Sequence, residues 1–105
     1  MNLQFLKSVA FFALFAVSTA AGKPLKGLII TGGCCHDYKN QKNIISEGVS
    51  KRLPVKWDVY FEMNQQKSKE HLSKKGWADG CDFIVWNHCF AHEKDAGFID
   101  SLVEI

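Results

Sequence analysis

The chain has no apolar run long enough to cross a membrane. Its longest stretch without a polar side chain is Val9–Val17, about half of the roughly 20 residues a bilayer span needs. It has no large excess of either charge, with 13 basic against 11 acidic side chains. It also lacks a basic stripe with interleaved aromatics, the electrostatic footprint of a nucleic-acid binder. Lys67, Lys69, Lys74 and Lys75 come nearest to a cluster, but Glu70 sits among them and they read as a solvated face. The four cysteines include no C-x-x-C pair, so the usual zinc and redox spacings are missing. No repeat and no low-complexity tract is present. The glycines at 32 and 33 are followed neither by the Lys-Ser/Thr of a nucleoside-triphosphate loop nor by the third glycine of a dinucleotide fingerprint. A G-x-[SC]-x-G nucleophile elbow is absent as well.

What is present begins with a leader. Met1–Lys7 carries one lysine, Val9–Val17 is the apolar core, and Ser18-Thr19-Ala20 supplies the small residues of a signal-peptidase site. Cleavage after Ala20 or Ala21 gives residues 1–20 as signal peptide and implies a periplasmic or secreted protein that meets the membrane only during export. Losing Lys7 leaves a net charge of +1. About 85 residues remain, enough for a small core but short of a whole doubly wound domain. Phe98, Leu102 and Ile105 keep helical spacing to the last residue, so residues 21–105 read as the N-terminal part of a longer domain.

The periodicities alternate. Lys26–Thr31 is an apolar, β-branched strand. A helix is expected over Gln41–Arg52, capped by Asn40, with Ile45, Val49 and Leu53 as its stripe, and Pro54 ends it. Lys56–Met63 alternates as a half-exposed edge strand. Asn64–Gly80 is polar, with a short helix around Glu70–Lys75 and Trp77 clamping the connection onto the sheet. Cys81–Asn87, apolar on both faces, predicts a central third strand, and Asp95–Ile105 a final helix. This order predicts an α/β fold of flavodoxin-like type, a parallel sheet with helices on both faces. In strand order 2-1-3 the ligand crevice lies at the carboxyl ends of strands 1 and 3, where the chain changes direction.

Those two ends gather Gly32, Gly33, Cys34, Cys35, His36, Asp37 and Tyr38 with Asn87, His88, Cys89, His92 and Glu93, while His71 reads as ordinary surface. Three chemistries fit such residues. Cys34 or Cys35 can form a disulfide with Cys89 across neighbouring strand ends, whereas Cys81 lies at the far end of strand 3, about 25 Å away at roughly 3.3 Å per residue. Cys35 beside His36 could act as an activated thiolate. His88-Cys89-x-x-His92 with Cys34, Cys35 and His36 could supply a zinc site, although adjacent cysteines rarely ligate one ion. Trp57 and Trp86 fall on strands and read as core.

At Leu28-Ile29-Ile30-Thr31-Gly32-Gly33-Cys34-Cys35-His36-Asp37-Tyr38, and again at Trp77-Ala78-Asp79-Gly80-Cys81-Asp82-Phe83-Ile84-Val85-Trp86-Asn87-His88-Cys89-Phe90-Ala91, the chain resembles the ThuA-like (trehalose-utilisation) domain proteins. The resemblance implies a class I glutamine amidotransferase-like fold and an association with carbohydrate catabolism. It supplies no catalytic triad, because the cysteine nucleophile of that superfold follows a later strand. His36, Asp37, Asn87 and His88 match the family pattern at the crevice.

The leading expectation is therefore an exported domain that binds or processes a carbohydrate-derived small molecule. His36 would be the acid/base and Asp37 its orienting partner, with Gly32, Gly33, Cys34, Cys35, Tyr38, Asn87 and His88 lining the ligand. If it is an enzyme, a hydrolase-like or sugar-modifying activity is implied, with no cofactor. Two alternatives stand beside it, a non-catalytic ligand-binding module of a larger redox or haem-linked protein and a zinc-dependent hydrolase-like site.

Overall fold

The computed structural model describes residues 22–105, and the leader and cleavage site expected from the sequence lie outside them. Three strands alternate with three helices: β1 (Leu25–Gly33), α1 (Tyr38–Ser50), β2 (Val55–Glu62), α2 (Gln65–Leu72), β3 (Phe83–Cys89) and α3 (Ala96–Ser101). The strands form one parallel sheet in the order β2-β1-β3. β1 takes the middle because its residues tolerate burial on both sides. Ile29, Ile30 and Thr31 are all fully buried, the near-continuous apolar run that a covered parallel strand requires.

Alternation along the strands divides the layers. On one face lies α1, where the Trp57 indole N–H donates to Ser50 Oγ at 2.9 Å and Lys42 Nζ sits 5.9 Å over the Phe61 ring. Gly27 leaves room on that face for Trp57 and Phe83 to meet edge-on across β1, with ring centroids 5.4 Å apart. The opposite face carries the apolar core: Ile30, Leu72, Phe98 and Leu102, with Leu28, Tyr60, Trp77, Ile84 and Phe90 packed against it. Here α2 and α3 cover the sheet. Trp77 does clamp the polar connection down, meeting Trp86 edge-on at 6.4 Å.

Several boundaries differ from the sequence expectation, each for a local reason. α1 begins three residues earlier, capped by Asp37 rather than Asn40. The Asp37 carboxylate accepts from the Asn40 backbone N–H at 3.3 Å and from its side-chain amide at 2.6 Å, so the amide that looked like a cap is bound by the true one. α2 starts at Gln65, where Asn64 accepts from the Lys67 N–H at 3.0 Å. α3 ends at Ser101, and Ile105 is exposed despite its helical spacing.

β3 is not central among the described residues. It forms an edge, and Trp86 is 42 % exposed there. Apolarity on both faces reports the layers above and below a strand and does not count its lateral neighbours. His71 is also more than surface, since it stacks on Tyr60 with centroids 4.0 Å apart. Lys69 leaves the solvated group to bridge Glu93 at 3.1 Å and Asp95 at 3.2 Å, tying α2 to the cap of α3.

Two glycines test this geometry. At Gly32 (φ 134°) a Cβ would overlap the backbone carbonyl of Glu62, whereas at Gly48, in α1, it would meet nothing within 4 Å. Gly32→Ala is expected to lower stability by more than about 2 kcal/mol. Gly48→Ala is expected to raise it by about 0.5–1 kcal/mol. Urea unfolding midpoints of the two variants check both signs.

Candidate functional site

The sequence between β1 and α1 makes a tight exit. Gly32 and Gly33 both take positive φ, and a Cβ on Gly33 would overlap the carbonyl oxygen of Cys89 and come within 2.9 Å of the His88 ring. Only glycine allows β1 to run between its neighbours at this depth. The last β1–β3 pair, Gly33 with Cys89, is closed by the Cys34 N–H, which donates to Cys89 O at 3.3 Å. The chain then turns at Cys35, the one non-glycine residue with positive φ (87°) among the described residues, a conformation L side chains adopt uncommonly.

Cys34 and Cys35 are joined to each other as a vicinal disulfide, and Cys81 and Cys89 are free. This replaces the expected bridge between either residue and Cys89. The turn that follows β1 brings the two adjacent sulfurs together before a second strand is needed. A disulfide-bonded Cys35 is not a ready nucleophile, so the activated-thiolate reading does not describe this state.

Tyr38 anchors the loop. It is 3 % exposed, and its hydroxyl donates to Cys34 O at 3.0 Å. Burial pushes its pKa above the ordinary 10.0, and the neighbouring Cys89 thiol pushes the same way. His36 stands on the exposed side, edge-on to the Tyr38 ring at 5.8 Å. Asp37 does not orient His36, because its carboxylate is engaged in capping α1. The expected acid/base pair is therefore a histidine without its carboxylate.

Asn87 and His88, consecutive on β3, point to opposite faces. Asn87 faces α1, where its side-chain amide donates to Thr31 Oγ1 and to Gln41 Oε1, both at 3.2 Å. It thus joins both strands to the helix below the loop. His88 faces α2: its Nε2 lies 2.9 Å from the fully buried Ser68 Oγ, and its ring packs on Phe90 at 4.3 Å. Its Nδ1 is buried without a hydrogen-bond partner. Burial lowers the His88 pKa below the ordinary 6.5, with the Glu62 backbone opposing.

His92 is exposed, and Glu93 holds Lys69 and the N–H groups of Lys94 and Asp95. The Asp95 N–H first, then the Lys69 ammonium, keeps the Glu93 pKa below its ordinary value. No group of three or more His, Cys, Asp or Glu side chains among the described residues is arranged to hold a metal ion. The zinc alternative drew on His88 and Cys89, which the strand sends to different faces.

Sequence reasoning brought Gly32–Tyr38 and Asn87–His92 to one end of the sheet; the register sets Gly32 and Gly33 beside His88 and Cys89 there, while His92 lies exposed beyond β3. It missed Thr31, Gln41 and Ser68, the polar partners beneath the site. Gln41 had a usable signal, because it lies one helical turn after Tyr38 and so shares its face. Ser68 had none, since a serine in a polar, lysine-rich helix looks solvent-facing. No protein-family model, curated protein or solved structure matches this chain significantly.

The half-buried imidazole of His88 gives stability a pH dependence. A folded pKa below the unfolded 6.5 means that the unfolded chain binds the proton first. The stabilising contribution is therefore complete above that value and is lost as pH falls through the lower folded pKa. Stability is expected to decline between about pH 7 and pH 5, with a shallower slope in His88→Gln. Denaturant midpoints across that range read the slope directly.

Proposed function

We propose that the crevice at the carboxyl ends of β1 and β3 binds a small, polar, carbohydrate-derived ligand, in an exported domain of the ThuA-like, class I glutamine amidotransferase-like kind. The observation that carries this reading is the parallel order β2-β1-β3. Its direction change falls between the two strands that end in the polar loop residues, and such crevices are where open α/β sheets take ligands. The motif resemblance supplies the sugar. Trehalose and its oxidised monosaccharide relatives are the probes it suggests.

Binding is favoured over acid/base turnover by one feature of the loop. Asp37, which would orient His36, is engaged by Asn40, and an imidazole with no carboxylate to fix its tautomer is a poor general base but an adequate hydrogen-bond partner. In this reading His36 and the exposed backbone of Cys35 meet the ligand. Asn87 holds the floor, and Gly32 and Gly33 keep the approach narrow. His88 supports the far layer and does not touch the ligand.

The test is calorimetric titration of the full chain with trehalose, glucose and gluconate. His36→Ala should weaken binding by about tenfold or more, the worth of one lost charged or well-aligned hydrogen bond. The melting temperature should be unchanged, because the ring is exposed. Equal affinity in the variant, or no heat with any of these probes, contradicts the proposal.

A further inference from the structure

Three of the four cysteines meet at the carboxyl ends of β1 and β3. Cys34 and Cys35 are paired, and Cys89 stands free on the strand beside them. Gly33 and Cys89 are partners in the β1–β3 register, and the next residue, Cys34, still donates its N–H to Cys89 O at 3.3 Å. Parallel neighbours lie about 4.7–4.9 Å apart and each residue advances about 3.3 Å, so Cys34, one step past the partner of Cys89, falls inside the roughly 4.4–6.8 Å Cα separation that a disulfide spans. Tyr38 touches both sides, with its hydroxyl donating to Cys34 O and the Cys89 thiol beside it. Cys35 is exposed and held at positive φ, next to His36.

We propose that Cys34, Cys35 and Cys89 form a thiol–disulfide exchange centre with two alternative bridges. The Cys89 thiolate attacks Cys34 Sγ, the Cys34–Cys35 bond breaks, and Cys35 leaves as the thiolate. The proton that Cys89 gives up to solvent is returned to Cys35. The number of disulfides is the same before and after, so the exchange needs no oxidant. It moves the free thiol from a half-buried strand position to an exposed loop position, where it can meet a disulfide or an electrophile. It also frees Cys35 from its partner, so that the backbone can leave the left-handed region and His36 can shift with it. The centre stands independently of which ligand the crevice takes.

Disulfide mapping of the full chain tests this. The protein carries Cys81→Ser to remove the one thiol outside the centre. It is equilibrated in glutathione buffer near pH 8, acid-trapped, alkylated, digested and analysed by mass spectrometry without reduction. Two species are expected, the loop peptide with an internal Cys34–Cys35 bridge and a cross-linked pair joining Cys34 to Cys89 with Cys35 alkylated. The second should account for at least about a tenth of the molecules. Adding Cys35→Ser should drive the chain to the cross-linked form, and adding Cys89→Ser should leave only the internal bridge. The proposal is overturned if no cross-link forms in either the parent or the Cys35→Ser chain, if the cross-link uses Cys35 and leaves Cys34 free, or if both loop cysteines are alkylated together throughout.

Discussion

The rest of the structure depends on one steric constraint, the passage of β1 between two backbone carbonyls at its carboxyl end. Glu62 stands on one side and Cys89 on the other, each where the Cβ of Gly32 or Gly33 would be. Because nothing but hydrogen fits there, the three strands stay in register to their last residues and the loop emerges from the middle of the sheet rather than from its rim. Everything assigned to the site follows from that exit: the turn at Cys35, the exposed position of His36, the cap at Asp37 and the buried ring of Tyr38. Tyr38 closes the arrangement by returning its hydroxyl to the Cys34 carbonyl, so the first residue of α1 holds the loop that leads into it.

A second consequence concerns which side chains belong together. Strand alternation sends Asn87 down towards α1 and His88 across to α2, so two neighbours in sequence serve different layers. Asn87 joins β1, β3 and α1 through Thr31 and Gln41. His88 packs its imidazole against Ser68 and Phe90, and the desolvation there lowers its pKa below the ordinary value. The Lys69–Glu93–Asp95 group fixes the outer boundary of the same layer by holding the cap of α3 against α2. The polar contacts to α1 and the packing against α2 thus share the end of β3 but use opposite faces of it.

Much of this was legible in the residues. The apolar run through Ile29, Ile30 and Thr31 ending in two glycines marks a covered parallel strand with a loop at its tip. The alternation from Trp57 to Met63 marks an edge. Helix starts were less legible, because Asp37 and Asn40 are both good caps three residues apart and only the folded loop decides between them. Among the described residues β3 lies at the edge, and apolar residues on its two faces say nothing of how many strands lie beside it. The pairing of Asp37 with His36 failed because adjacency in sequence does not orient side chains, and the helix N-terminus offers the carboxylate backbone donors that the imidazole cannot match. Cysteine pairing depended on a left-handed turn at a non-glycine residue, which no local pattern announces.

The most direct measurement is amide hydrogen exchange at Cys34, followed by NMR. If β1 runs through its glycines to stay paired with β3, the Cys34 amide, bonded to Cys89 O, should exchange within about tenfold of Ile30 in the middle of the strand. Exchange as fast as that of exposed His36 would show that pairing ends before the glycines. The loop would then not be seated on the sheet, and the proposed crevice would lose one wall.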